Sequence, residues 1–204
     1  MQESYNSTAN QSQPQLVKLS QIQLDPEIQP RQQLNQEVVT EYAEAMGQGT
    51  TFPPVIIFYD DSRYWLTDGF HRVKAKESIG GHEILAEVRY GSRRDAILFA
   101  AGANSAYGLQ RSNADKRRAV ERLILDEEWF RWSDREIARR TSVSQPFVSK
   151  LRNQFLEGDN RYQINVGLDT SCRLACRNGK SYNVNVANIG QSKRLKTSPS
   201  LHST

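Results

Sequence analysis

A strand that ends on Asp-Gly and passes straight into a helix constrains this chain more than any other stretch. Tyr64, Trp65, Leu66 and Thr67 read as a short buried strand, Asp68-Gly69 breaks it, and Arg72 to Ile79 has helical spacing. Val73, Ala75 and Ile79 are available for a core face, and Gly80-Gly81 stops the helix. Gly69 therefore stands at a helix N-terminus. Unpaired backbone N–H groups and the positive end of the helix dipole collect there, which favours an anion such as phosphate. His71 and Arg72 add donors in the same turn, and an arginine can grip a phosphate with two parallel hydrogen bonds. The plainer alternative is a strand-to-helix turn with two surface side chains; a single glycine does not decide between them.

The segments before this turn supply further strands. Leu16 to Leu19 and Ile22 to Leu24 are short and extended, and Asp25-Pro26 and Gln29-Pro30-Arg31 are loop signals. Asn35 is a good N-cap for a helix carrying Val38, Tyr42, Ala45 and Met46, which Gly47 and Gly49 end. Val55 to Tyr59 is an apolar run too short for a helix, and Asp60-Asp61-Ser62 turns it back into the Tyr64 strand. After the central turn, His82 to Tyr90 alternates as a strand. Gly91-Ser92 then opens a helix containing Ala96, Ile97, Phe99 and Ala100.

From Asn113 the chain becomes helical. Ala119, Leu123, Ile124 and Trp129 lie on one side of the first helix, and Lys116, Arg117, Arg118 and Arg122 mostly on the other. That charged face is either solvated or in contact with phosphate. Trp132 to Arg152 carries the clearest signal. Ser133 and Glu136 have capping-box spacing, Ile137 and Ala138 face inward, and Thr141-Ser142-Val143 turns the chain. Ala138 is small where two helices must cross, Val143 plugs the corner, Ser144 caps the next helix, and Pro146 sits in its first turn. Val148 and Leu151 point to the core. This leaves Gln145, Phe147, Ser149, Lys150 and Arg152 on or beside the outer face. A second helix of this kind lies in the major groove of DNA. Gln can read adenine, Ser several bases, and Lys and Arg suit guanine or phosphate.

Of 204 residues, 27 are Lys or Arg and 23 are Asp or Glu, a net charge of +4. That balance permits a nucleic-acid partner without requiring one. No apolar run reaches the length of a membrane span, so a soluble, cytoplasmic protein with no membrane partner is expected. Cys172 and Cys176 have no histidine nearby and read as free thiols, so no metal site is expected. Gly179-Lys180-Ser181 lacks the preceding glycine of a phosphate loop. Residues 1–15 read as a disordered tail. A helical part at 104–157 contains the two-helix motif at 133–155, and 158–204 read as mostly irregular apart from a short strand near Tyr162 to Val166.

The order of these motifs resembles the ParB family of DNA partition proteins, over about Leu16 to Phe155. Gln29-Pro30-Arg31, then a helix, then two strands leading to Gly69-Phe70-His71-Arg72, then Asn104 to Arg111, then a helix-turn-helix, carry the resemblance. It implies an α+β fold: a small mixed sheet with helices of the ParB and sulfiredoxin type over 16–103, followed by an all-α helix-turn-helix domain. It also implies a nucleotide or phosphate site built from Arg31, Gly69, Phe70, His71, Arg72, Asn104 and Arg111, with CTP or another nucleotide and Mg²⁺ as cofactor. The family box reads Gly-Glu-Arg-Arg, so Gly69 and Arg72 match it while Phe70 and His71 depart. Asn104 matches the Glu-Asn box without its acidic partner. Sulfiredoxin boxes carry Gly-Cys-His-Arg; Phe70 here replaces the reactive cysteine, which removes the nucleophile.

Two readings from different classes follow. The first is a DNA-binding protein of plasmid or phage type, acting in partition or transcriptional regulation and associated with nucleoid or plasmid. Gln145, Phe147, Ser149, Lys150, Arg152, Lys116 and Arg117 would contact DNA, and a homodimer through the N-terminal part stays open. The second is an enzyme, a divalent-metal nuclease or a nucleotide hydrolase, with Asp68 and His71 as candidate catalytic residues. Asp60 and Asp61 lie in the neighbouring hairpin, where turn formation explains them equally well.

Overall fold

Alternation and turn chemistry produce a five-stranded mixed sheet in the first half of the chain. The structure is a computed structural model, and it describes residues 13–31, 33–103, 110–158, 172–177 and 180–185. Strands β1 (Gln15–Lys18), β2 (Ile22–Gln23), β3 (Val55–Tyr59), β4 (Tyr64–Asp68) and β5 (Glu83–Tyr90) are arranged in the order β1-β5-β3-β4-β2. β3 pairs with β5 in parallel and with β4 antiparallel, so the apolar Val55 to Tyr59 run is central, with Val55 and Ile57 fully buried. β1 closes one edge antiparallel to β5, and β2 the other parallel to β4.

Helix α1 (Gln36–Gly47) begins at Asn35, whose side chain accepts the Glu37 N–H at 2.9 Å. Helix α2 (Phe70–Ser78) packs against α1, and helix α3 (Arg93–Gly102) opens on a capping box between Ser92 and Asp95 and packs on the sheet. The register of β3 against β4 shifts between Ile56 and Ile57, with Thr67 as the extra residue. The buried Thr67 hydroxyl donates to the Ile56 carbonyl at 2.9 Å. This bulge sets the direction in which Asp68-Gly69 leaves the sheet.

The second half is helical, as expected. Helices α4 (Asn113–Leu125), α5 (Asp134–Thr141) and α6 (Gln145–Gly158) follow, with a 3₁₀ turn at Trp129–Arg131. One hydrophobic cluster runs through both halves, from Val55, Ile57 and Leu66 of the sheet through Ile97 and Ala100 to Val120, Leu123, Ile137, Val148 and Leu151. Within 158–204, expected to be mostly irregular, residues 172–177 and 180–185 are paired strands. Strands β6 (Cys172–Arg177) and β7 (Lys180–Asn185) form an antiparallel hairpin, because Leu174, Tyr182 and Val184 favour extended pairing. Residues 1–12, Asn104 and the expected strand near Tyr162 to Val166 lie outside the described residues. No helix among the described residues is long and apolar enough to cross a membrane.

Candidate functional site

The Gly69 turn is built as the sequence predicts, but its side chains are used inward. Gly69 caps α2 at φ 99°, and a Cβ there would lie 2.5 Å from Cγ1 of Val55, so only glycine fits. Arg72 is buried, contrary to an anion-gripping role on the surface. Its Nη1 donates to the carbonyls of Pro53 and Pro54 at 2.5 and 2.9 Å, and Nη2 to Oδ2 of Asp68 at 2.8 Å. One helical turn separates Asp68 from Arg72, which places the carboxylate where it holds the guanidinium against the proline loop. The Phe70 side chain is likewise in the core, which leaves only its backbone N–H at the start of α2 to meet an anion.

His71 is buried, and its Nε2 accepts the backbone N–H of Asn35 at 3.1 Å. That bond requires the neutral ring. Burial pushes the imidazole pKa below its usual range, and the charge of Arg31 adds to the shift. Asp68 is engaged by Arg72 through Oδ2, and its charge also acts on His71. Asp60 acts as a turn former: it accepts from Trp65 Nε1 at 2.7 Å, from the Ser62 hydroxyl and N–H, and from the Arg63 N–H. Among the described residues, no three His, Cys, Asp or Glu side chains converge as a metal site would require.

A denser cationic cluster lies where the two halves of the chain meet. Arg31 approaches Asp115 at 3.8 Å, and its charge acts on both His71 and Arg111. Arg111 Nη1 donates to the carbonyls of Ala101 at 2.9 Å and Thr141 at 3.1 Å, tying the ends of α3 and α5 together. Its Nε is buried and makes no hydrogen bond among the described residues. Burial lowers the Arg111 pKa; Asp115 counteracts this shift and Arg31 adds to it. Two guanidiniums with an orphaned buried donor form a place that an anion would stabilise. Both nearby carboxylates are already engaged, Asp68 by Arg72 and Asp115 by Arg31 and by its capping box with Ser112.

Helices α5 and α6 are joined by a tight turn. Ser142 adopts the left-handed conformation at φ 55°, and Val143 N–H reaches the Ala138 carbonyl at 3.0 Å. Ser133 caps α5 through the Glu136 N–H, whereas the Glu136 carboxylate turns to Arg139 and Arg140. Gln145 and Lys150 are exposed on α6, and Ser149 is half-buried with its hydroxyl on Oδ2 of Asp134 at 2.7 Å. Phe147 packs against the core. Arg152 is not on the outer face. It is 2% exposed, with Nε on Oδ1 of Asp134 and its two Nη atoms on the carbonyls of Phe130 and Trp132. On α4, Arg117 is exposed and pairs with Glu121, and Lys116 is half-exposed. Arg118 and Arg122 bond the Pro26 carbonyl and so serve the fold.

The model of the ParB N-terminal domain matches residues 2–105. The chain belongs to the ParB N-terminal domain family. It is 30% identical over 125 residues to a possible regulatory protein of the streptomycin biosynthesis operon of Streptomyces griseus, covering 61% of this chain and 35% of that protein. It is 29% identical over 145 residues to the transcriptional regulator NovG of Streptomyces niveus, covering 67% of this chain and 44% of that one. The chain thus spans less than half the length of these relatives. Among solved structures, ParB of Caulobacter crescentus bound to the centromeric parS site is similar at 16% identity and TM-score 0.48, over 76% of this chain and 80% of that one. The same protein bound to CTP-γ-S is similar at 15% identity and TM-score 0.41, over 78% and 88%.

In this ParB-family chain, sequence reasoning missed three side chains that hold the candidate sites together. Asp115 was legible as the third residue after the Ser112 cap, and Asp134 as a first-turn acid of α5. Arg173 carried no local signal, because its partner Asp134 is distant in sequence and met only on folding. A cleft of about 640 Å³ also lies between α3 and α5, floored by Phe58, Leu98 and Phe99 and edged by Arg139 and Arg140.

Proposed function

We propose that this ParB-family chain binds duplex DNA through α5 and α6, acting as a helix-turn-helix in transcriptional regulation or partition. The observation that carries the reading is the tight turn at Ser142. It joins α5 to α6 with the Val143 N–H on the Ala138 carbonyl, and leaves Gln145 and Lys150 exposed on the second helix. In this reading Gln145 is the base reader, Lys150 a phosphate or guanine contact, and Lys116 and Arg117 auxiliary phosphate contacts. Ser149 and Arg152 support the helix through Asp134 in place of reading DNA.

The junction of Arg31, His71 and Arg111 is the proposed phosphate-binding site for a nucleotide. The orphaned Nε of Arg111 supports it, since a phosphate oxygen would complete the hydrogen bonding of that buried atom. Arg111 already bonds the last carbonyl of α5, so an anion drawn to its guanidinium acts on the seat of the helix pair. CTP with Mg²⁺ is the first ligand to try.

Selection of duplexes from a random pool, followed by fluorescence anisotropy, tests the DNA reading. A defined sequence should emerge, with binding that weakens steeply as salt rises. Recovery of no preferred sequence would overturn it. Calorimetric titration with CTP, ATP and ADP, each with Mg²⁺ and against Arg31→Ala, tests the anion site. Incubation of the same protein with Mg²⁺ and either duplex or nucleotide tests the alternative of a nuclease or hydrolase.

A further inference from the structure

We infer that the β6–β7 hairpin is a basic wing that lies along the DNA backbone beside α6. This rests on the reading of α5 and α6 as a DNA-binding pair. The hairpin's sequence, residues 172–185, contains Arg173, Arg177 and Lys180 and no Asp or Glu. Its register sets Arg177 opposite Lys180 on the last rung of the ladder. A hairpin whose charged residues are all cationic suits a phosphate backbone.

The docking of the hairpin determines where that charge is delivered. An isolated two-stranded hairpin is marginal in water, so its position depends on what it is fastened to. Leu174 pairs with Trp132 in a parallel bridge, and the Ser133 N–H donates to the Leu174 carbonyl at 2.8 Å. Arg173 Nη1 donates to Oδ1 of Asp134 at 2.9 Å. The same carboxylate accepts Ser149 and Arg152 of α6, both at 2.7 Å. One anion thus orients α6 and anchors the hairpin, whose strand β6 packs on α5 and on the 3₁₀ turn at Trp129–Arg131, while Lys150 and Asn153 stay exposed on α6. Arg173 is used in this attachment, leaving Arg177 and Lys180 as the phosphate contacts. Ser181, Tyr182 and Asn183 are exposed on β7, with Tyr182 at 46%. Hydroxyl and amide side chains of this kind are common partners of phosphate and sugar.

The test is fluorescence anisotropy of the full chain on two duplexes, one selected by the wild type and one of random sequence, each over a range of salt. R177A/K180A should bind both duplexes more weakly and keep its preference for the selected one. The slope of log K against log salt should fall in magnitude by about 1.8, two contacts at about 0.9 each. R177K/K180R should retain the wild-type slope, and near-native circular dichroism shows that the variants remain folded. Lys150→Ala serves as the separate probe of the helix pair, with a slope change of about 0.9. If Lys150→Ala changes the slope and R177A/K180A does not, the wing is overturned while the helix reading stands. If the charge-retaining variant falls as far as the alanine one, charge is not what acts and the wing is again overturned. Failure of the wild type to bind either duplex would overturn both.

Discussion

Arg152 and Asp134 form a buried ion pair, Nε to Oδ1 at 2.7 Å, with the arginine side chain 2% exposed and the aspartate 12%. The remaining guanidinium nitrogens reach the Phe130 and Trp132 carbonyls at 3.0 and 2.9 Å. A residue that looks like a DNA contact from its helical position therefore holds α6 to α5 and to the 3₁₀ turn. Truncation leaves the two carbonyls without their donor and the Asp134 carboxylate with only Ser149 and Arg173. Arg152→Ala should lower unfolding stability by about 3–5 kcal/mol, measured by urea titration. A variant of wild-type stability that simply lost DNA affinity would contradict this role.

The seam between the two halves depends on the absence of a side chain at Gly102. A Cβ at that position would collide with the backbone carbonyl oxygen of Arg140, and neither backbone can yield easily. Gly102→Ala should destabilise the fold by about 1–3 kcal/mol. Gly47→Ala is the matched control, because nothing lies within 4 Å of a Cβ there. It should be neutral or stabilise by up to about 1 kcal/mol through the unfolded chain. Thermal unfolding of the two variants side by side checks the contrast.

Acid should loosen the fold through His71. Burial first, and the charge of Arg31 second, depress its folded-state pKa below the ordinary 6.5, with Asp68 opposing. The unfolded chain therefore binds the proton more readily. Stability is complete above about pH 6.5 and declines as pH drops below 6.5 toward the depressed folded value. Glu136 also has a lowered folded pKa: its burial raises the value, but Arg139 and Arg140 outweigh that. Its stability is lost only as pH falls below its ordinary 4.5, so the two windows separate. His71→Gln should flatten the higher window alone, seen as unfolding midpoints plotted against pH.

Binding of an anion at the Arg31–Arg111 junction should raise the unfolding temperature. At a ligand concentration of about one hundred times Kd, linkage supplies about 2.7 kcal/mol. Arg31→Ala, which removes one of the two guanidiniums, should abolish most of the shift with CTP and with inorganic phosphate alike. Scanning fluorimetry with both ligands is the measurement; an undiminished shift in the variant would place the anion elsewhere.

Much of the architecture was legible before folding. Apolar runs bounded by turn residues located β3, β4 and β5, and Asn35, Ser92 and Ser133 marked helix starts, with a further helix read from Asn113. The Gly69 turn was legible because a positive φ against a close neighbour leaves one residue type. These are local signals, set by periodicity and by the backbone needs of each turn.

What each polar side chain does was decided by the tertiary structure. Arg72 and Arg152 have the composition of binding residues, yet each is placed among backbone carbonyls, those of Pro53 and Pro54 in one case and of Phe130 and Trp132 in the other. Burial makes those carbonyls costly unless paired, so the guanidiniums are drawn inward. Arg31 and Arg111 are far apart in the chain, and only the fold brings their charges together beside Asp115 of α4. Sequence periodicity determines which face of an element is apolar. The partners a cation finds depend on which distant carbonyls and carboxylates the fold delivers to it.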